Sequence, residues 1–174
     1  MSSSRRAAAT TVATILALLL AGAVHAASVS MAGGAVTFQT PDGWQDIMQT
    51  EGDPEARVFQ VPDPSPTGRN SLARVTVTVA GAADVAAFNQ FRDAAAAKAS
   101  LLPAYRAADG AHDPNEVVYS ARENDTEFDY VERYWFRSGH AIQLRCVRPA
   151  RSEAGNKWIV EFDKGCAAIA EQLK

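Results

Sequence analysis

Alternating apolar and polar residues predict three β-strands in the first half of the chain. The segments at 35–40, 56–62 and 71–80 change polarity at nearly every residue, which is the pattern of a strand with one buried face. In the third segment, "SLARVTVTVA", the predicted buried face consists of Leu72, Val75, Val77 and Val79. The stretch 62–70 ("PDPSPTGRN") contains three prolines and a glycine, so it is predicted to be a surface loop without regular structure.

After residue 84 the spacing of apolar residues changes to three or four, which predicts an amphipathic α-helix. Asp84 is in the N-cap position, and Pro103 ends the run. The apolar stripe of this helix consists of Val85, Phe88, Phe91, Ala95, Ala99 and Leu102.

Three more strands and a helix are predicted in the second half. The strands cover 116–122, 127–137 and 141–149, and the turn signals "ENDT" and "RSGH" connect them into an antiparallel meander. The last segment starts with the strand-like "KWIVEF", but its apolar residues then recur every three or four positions, so a helix is predicted. Those residues are Trp158, Phe162, Cys166, Ile169 and Leu173.

The predicted order βββαβββα indicates an α+β fold, in which helices pack on an antiparallel sheet of about six strands. Residues 27–174 are enough for one domain with one core, and no internal repeat is visible. We therefore expect a single compact unit.

Several segments together resemble PsbP-like domains. They are the opening "VTFQTPDGWQDI", the Ser/Pro loop, the strand "ARVTVTV", the helix with "FNQF", and the hairpin before a terminal helix. The family includes a photosystem II extrinsic subunit, a nuclear Ran-binding factor and small bacterial periplasmic proteins. The resemblance implies an α/β/α sandwich with a binding or accessory role, and it brings no catalytic residues.

The N-terminus has the features of a secretory signal peptide. "MSSSRR" supplies two cations, "VATILALLLAGA" an apolar core and "AVHA" small residues for cleavage. We predict cleavage after Ala26, with Ala23 as the alternative, and a periplasmic or secreted domain at 27–174. The apolar core is shorter than a membrane span of about 20 residues, so no stable span is expected after cleavage.

The charge of the mature domain argues against nucleic-acid binding. Loss of Arg5 and Arg6 leaves 15 Lys and Arg against 20 Asp and Glu, whereas nucleic-acid-binding domains are strongly basic.

The two cysteines, Cys146 and Cys166, are predicted to form a disulfide. By period, Cys146 shares a strand face with Ile142 and Leu144, and Cys166 lies on the apolar stripe of the last helix. An even cysteine count in an exported chain favours a bridge over free thiols. Free thiols, and a nucleophilic Cys166 with a distant histidine, are the alternatives.

Recognisable catalytic and metal-binding motifs are absent from the sequence. It contains no GxSxG, GxGxxG, Walker, CxxC or HExxH pattern, so no cofactor and no metal are expected. Four alternating acids could instead hold Ca²⁺, although a solvated acidic turn is the favoured interpretation because Ca²⁺ needs six or more oxygens. These acids are Glu123, Asp125, Glu127 and Asp129.

Two features of the strand at 127–137 are candidates for function. Glu132 shares its face with aromatic residues, where a carboxylate is either perturbed and reactive or simply paired with an Arg or Tyr. The opposite face carries Arg and Trp, the residues most enriched at binding hot spots. With a three-residue loop at "RSGH" that opposes Phe136 and Ile142, one candidate binding face would contain Arg133, Trp135, Arg137, Gln143 and Arg145.

The sequence therefore favours an exported, non-catalytic binding or accessory protein. It would present a sheet face or loop to a protein partner or an anionic ligand, and an immunity or inhibitor role is one form of such binding. The alternative is an enzyme with an unrecognised site near Glu132.

Overall fold

The computed structural model describes residues 26–109 and 113–174, which fold into an α+β domain. The predicted signal peptide at 1–26 lies outside the described residues, except for Ala26. The nine strands are β1 (Ser28–Met31), β2 (Val36–Gln39), β3 (Gln45–Thr50), β4 (Glu55–Gln60), β5 (Arg74–Gly81), β6 (Arg106–Ala107), β7 (Glu116–Glu123), β8 (Thr126–Arg137) and β9 (His140–Pro149). The helices are α1 (Pro66–Asn70), α2 (Val85–Ser100) and α3 (Gly155–Leu173), and a 3-10 turn covers Ala32–Gly34.

The main sheet has seven antiparallel strands in the order β3-β4-β5-β9-β8-β7-β6, and β1 and β2 form a separate hairpin. The prediction of about six strands in the sheet is therefore corrected to seven. The predicted strand at 35–40 is β2 of the separate hairpin, while β3 and β6 join the main sheet and, being fully exposed, carry no alternation that could predict them. The prediction that 62–70 lacks regular structure is also wrong. Pro66, with its fixed φ, starts the short helix α1 at the first helical position.

The helices predicted from apolar spacing are confirmed. The carboxylate of Asp84 accepts a hydrogen bond from the N–H of Ala87 at 2.8 Å, so it caps α2 as predicted. The predicted stripe of α3 lies in the core, with Phe162, Ile169 and Leu173 buried. The strand-like start "KWIVEF" is helical, because α3 runs from Gly155.

The two faces of the sheet are covered by different elements. On the α3 face, Val75, Val77 and Val79 of β5 pack together with α3 and the β1–β2 hairpin. On the α2 face, α2 packs over the strands β7, β8 and β9 through Phe88 and Ala99. The two helices cover different strands of the sheet. On the α3 face, half-buried side chains therefore remain on β7 and β8, and on the α2 face they remain on β4 and β5. These two areas are where the sheet itself is accessible.

Candidate functional site: a cleft beside α3 and a buried carboxylate

The β8–β9 turn determines which side chains share a face. The loop contains two residues, Ser138 and Gly139, both with positive φ (50° and 75°), and Arg137 pairs with His140. Such a turn matches the twist of a tight hairpin. The predicted three-residue loop is therefore wrong, and Trp135 rather than Phe136 pairs with Ile142.

This register divides the predicted binding face into two parts. Arg133, Trp135 and Arg137 lie on the α3 face, whereas Gln143 and Arg145 lie on the α2 face. The prediction failed because β9 is buried on both sides: Ile142, Gln143 and Leu144 are all buried. A strand with two buried faces has no alternation from which its register can be read.

On the α3 face, the sheet and the end of α3 enclose a cleft of about 440 Å³. We call it the α3 cleft. Arg137 holds the end of α3 in place, because its Nη1 donates to the main-chain oxygen of Lys174 at 2.7 Å. Trp135 packs partly against the core. The cleft is lined by Asp113, Asn115, Glu116, Arg133, Tyr134, Trp135, Ala167, Ala170, Glu171 and Lys174.

The charged residues of the α3 cleft include both signs. The Nε of Arg133 donates to Oε2 of Glu116 at 2.6 Å, and Nζ of Lys174 lies 2.6 Å from Oε1 of Glu171. The walls thus offer an indole surface and small alanines between paired charges. This arrangement suits binding of a segment with apolar and polar groups.

On the α2 face, Glu132 is the centre of a buried hydrogen-bond network, and only 1% of it is exposed. Its Oε1 accepts from the Tyr119 hydroxyl at 2.7 Å and from Nε of Arg145 at 2.6 Å. Its Oε2 accepts from Nε2 of Gln143 at 2.8 Å and from the Tyr134 hydroxyl. The interpretation of Glu132 as a carboxylate paired with Arg and Tyr is confirmed.

The network perturbs the groups around Glu132. Burial raises the pKa of Tyr119 and Tyr134 well above the usual value, and the neighbouring Glu132 carboxylate adds to the effect. For Arg145, burial is the largest single effect and opposes the charged form, but the attraction of Glu132, the hydrogen bond to it and the neighbouring tyrosines together outweigh burial, so the pKa is raised. At neutral pH both tyrosines are therefore neutral donors and Arg145 is a cation.

A second, smaller network lies beside the first. Glu123 accepts hydrogen bonds from Arg74 and from the Tyr130 hydroxyl. Burial alone would raise the pKa of Glu123, but these two bonds lower it below the usual value. The rings of Tyr119 and Tyr130 are stacked with centroids 4.5 Å apart, so the two networks touch.

The acids considered for Ca²⁺ do not converge. Glu123 lies on the α2 face, whereas Glu127 pairs with Arg106 and Asp129 with Arg148. Within residues 26–109 and 113–174, no group of three or more His, Cys, Asp or Glu side chains could hold a metal ion.

The predicted cysteine pair is present at disulfide distance. Cys146 of β9 and Cys166 of α3 are bridged, with Cα atoms 6.4 Å apart and both side chains buried. The bond connects the central strand to the helix that covers it.

The sequence provided most of the residues of both sites as candidates, but it did not show that Gln143 and Arg145 bind Glu132. It missed Tyr119 of β7 and the wall of the cleft that the last turns of α3 supply. In the described part of the chain, no helix has both the length and the apolar character required to cross a membrane. Comparison with protein-family models gives no match, and comparison with curated proteins gives no significant match.

Proposed function

We propose that the chain is an exported, non-catalytic binding or accessory protein that binds its partner in the α3 cleft. The observation that carries this proposal is that Arg133 and Trp135, predicted from sequence as binding residues, line one cleft, while Arg137 fixes its α3 wall. The volume of about 440 Å³ is within the range of ligand pockets, about 300–1,000 Å³. The partner is a protein segment or an anionic ligand, and the PsbP-like resemblance supports an accessory, immunity or inhibitor role.

Export to the periplasm or outside the cell is part of the same proposal. A bridge between Cys146 and Cys166 is typical of oxidising compartments, and the first 26 residues have the composition of a signal peptide.

The alternative, an enzyme centred on Glu132, has less support. Each carboxylate oxygen of Glu132 already accepts two hydrogen bonds, and the side chain is almost completely buried. A substrate would have to displace Tyr119 or Tyr134 to reach it. Hydrolase turnover by the pure protein that Glu132→Gln abolishes would favour this alternative instead.

Site-specific photocrosslinking tests the binding proposal. A photoreactive amino acid replaces Ala167, an exposed residue of α3 that lines the cleft. The matched control position is Ala94, an exposed alanine of α2 on the opposite side of the sheet. We expect a discrete crosslinked partner from Ala167 only, identified by mass spectrometry from an extract of the compartment.

The affinity of the purified partner then gives the decisive result. We expect Arg133→Gln to weaken binding at least about tenfold, which corresponds to 1.4 kcal/mol. Trp135→Phe keeps an aromatic ring against the core and is expected to weaken binding less. Lys98→Gln, on exposed α2, is the control and should leave the affinity unchanged. Equal affinities for all four proteins would place the binding site elsewhere.

A further inference from the structure

On the α2 face, the orientation of Arg145 is fixed by a buried side chain beneath it, Glu132. The Nε of Arg145 donates to the buried carboxylate of Glu132 at 2.6 Å, while 33% of the Arg145 side chain stays exposed. Glu132 is itself held by two tyrosines and Gln143. The guanidinium is therefore positioned before any ligand arrives, which reduces the entropy lost on binding.

The outer edge of this guanidinium makes no direct contact with an acceptor, although Arg145 also interacts electrostatically with the nearby Glu123. Among the described residues, the two terminal nitrogens of Arg145 make no hydrogen bond or ion pair, because the contact with Glu132 uses Nε. A guanidinium presents its donors in a planar fork that binds carboxylate or phosphate oxygens through two parallel bonds. The Nη1/Nη2 edge of Arg145 is free for such a contact.

Two hydroxyl groups lie next to this edge. Thr76 of β5 is the direct cross-strand partner of Arg145, and Thr78 is the partner of Gln143 on the same face. Directly paired side chains have Cβ atoms about 4.5–5.5 Å apart. Neither threonine hydroxyl has a hydrogen-bond partner within the structure as described for 26–109 and 113–174, and both residues are half-buried. Each can donate a hydrogen bond to a ligand.

The surroundings are partly apolar. Val58 and Ala56 of β4 are the next neighbours of Thr76 and Thr78. Val58 is buried and Ala56 half-buried, whereas Met48 on the edge strand is exposed. The nearby Arg74 does not compete for a ligand, because it binds the Leu72 carbonyl at 3.3 Å and the Glu123 carboxylate.

We propose that Arg145, Thr76 and Thr78 form a binding site for the oxyanion of a small ligand, a carboxylate or a phosphate group. The terminal guanidinium nitrogens would each donate to one ligand oxygen, and the two threonine hydroxyls would each donate to a further lone pair of these oxygens. The site is on the opposite face of the sheet from the α3 cleft, so it does not depend on the function proposed there.

The test is a titration of the full chain followed by NMR of the arginine Nε–Hε groups. The probes are sodium acetate and inorganic phosphate, each exchanged against sodium chloride at constant ionic strength. Arg148 is the internal control, because its guanidinium is paired with two carboxylates on the α3 face, outside both proposed sites: Nε donates to Asp163 at 3.1 Å and Nη1 to Asp129 at 2.7 Å. We expect a saturable shift of the Arg145 signal and of the Thr76 amide, and no saturable shift of Arg148.

The two probes distinguish the possible ligands, because saturation by acetate alone indicates a carboxylate ligand and saturation by phosphate alone a phosphorylated one. Arg145→Gln should abolish saturation, but it leaves Glu132 without its cation and could unfold the domain. Thr76→Val keeps the ion pair and should weaken binding about two- to tenfold, the effect of one lost hydrogen bond. The proposal is overturned if Arg145 shows no saturable shift with either probe, if Arg145 and Arg148 shift alike, or if Thr76→Val binds as the wild type does.

Discussion

Replacing Glu132 by Gln should strongly destabilise the domain, although the two side chains have nearly the same shape. The carboxylate accepts four hydrogen bonds, two at each oxygen. A glutamine has one acceptor oxygen, and its NH₂ group would face donors at the other position. If the oxygen stays with Tyr119 and Arg145, then Tyr134 and Gln143 lose their acceptor.

The expected loss in the free energy of unfolding follows from the charge that Glu132→Gln removes. Breaking a fully buried ion pair costs about 3–5 kcal/mol, but one third of the Arg145 side chain is exposed and water can solvate part of its charge. The tyrosine hydroxyls can also rotate and recover one bond. We therefore expect the free energy of unfolding to fall by about 3 kcal/mol, near the lower limit of that range. For a domain of this size, the Tm would fall by about 6–12 °C.

Urea denaturation followed by tryptophan fluorescence measures this loss. The control is Glu116→Gln, which removes the charge from the half-exposed pair with Arg133 and should cost at most about 1 kcal/mol. Combining Glu132→Gln with Arg145→Gln should cost less than the sum of the two single variants, since each alone leaves an unpaired group. A Glu132→Gln protein within about 0.5 kcal/mol of the wild type, with an unchanged m-value, would refute the structural role assigned to the network.

Two further predictions concern the bridge and the tyrosines. Replacing both Cys146 and Cys166 by Ala should lower the free energy of unfolding by about 2–5 kcal/mol. The unfolded, unreduced wild type should take up no thiol-alkylating reagent. Uptake at both cysteines would contradict the bridge. Because the pKa of Tyr119 and Tyr134 is raised in the folded state, the unfolded chain loses these protons first, so stability is complete below about pH 10 and falls above it. For each tyrosine the slope approaches about 1.4 kcal/mol per pH unit well above pH 10 and averages about half of that between about pH 9 and pH 11. Tyr119→Phe should therefore reduce the slope measured by urea titrations over this range by about 0.7 kcal/mol per pH unit. An unchanged slope would show that Tyr119 titrates normally.

The parts of the fold that could be predicted from sequence are those with one buried face. β5 alternates strictly, and its buried valines at 75, 77 and 79 were assigned correctly. The stripe of α3 was equally clear, and the bridge followed from the face on which each cysteine lies. The stripe of α2 was only partly correct, because Phe88 and Ala99 are buried but Val85 is exposed and Leu102 follows the end of the helix. In these elements one face is buried, so apolar residues recur at every second position in a strand and at every third or fourth position in a helix.

The parts that could not be predicted lack that constraint. β3 is an edge strand with six exposed residues, so no period marks it. β9 is buried on both faces, and its register depends on Ser138 adopting a positive φ, which is uncommon for a residue other than glycine. Because Ser138 and Gly139 both have positive φ, the turn closes with two residues, and Trp135 and Arg145 lie on opposite faces of the sheet. The partners of Glu132 come from β7, β8 and β9 and cannot be found from the spacing within one strand.

The pairing of β5 with β9 has a consequence for the time course of folding. The strands β3, β4 and β5 pair with their neighbours in sequence, as do β7, β8 and β9, so each group can form locally. Among the strands formed by residues 26–109 and 113–174, only β5 and β9 pair across the two groups, which brings Val75 opposite Cys146. Contacts between distant parts of a chain form slowly because a long loop must close first. The bridge to Cys166 closes a sequence separation of only 20 residues within the second group, so we expect this half to be oxidised before the halves of the sheet meet.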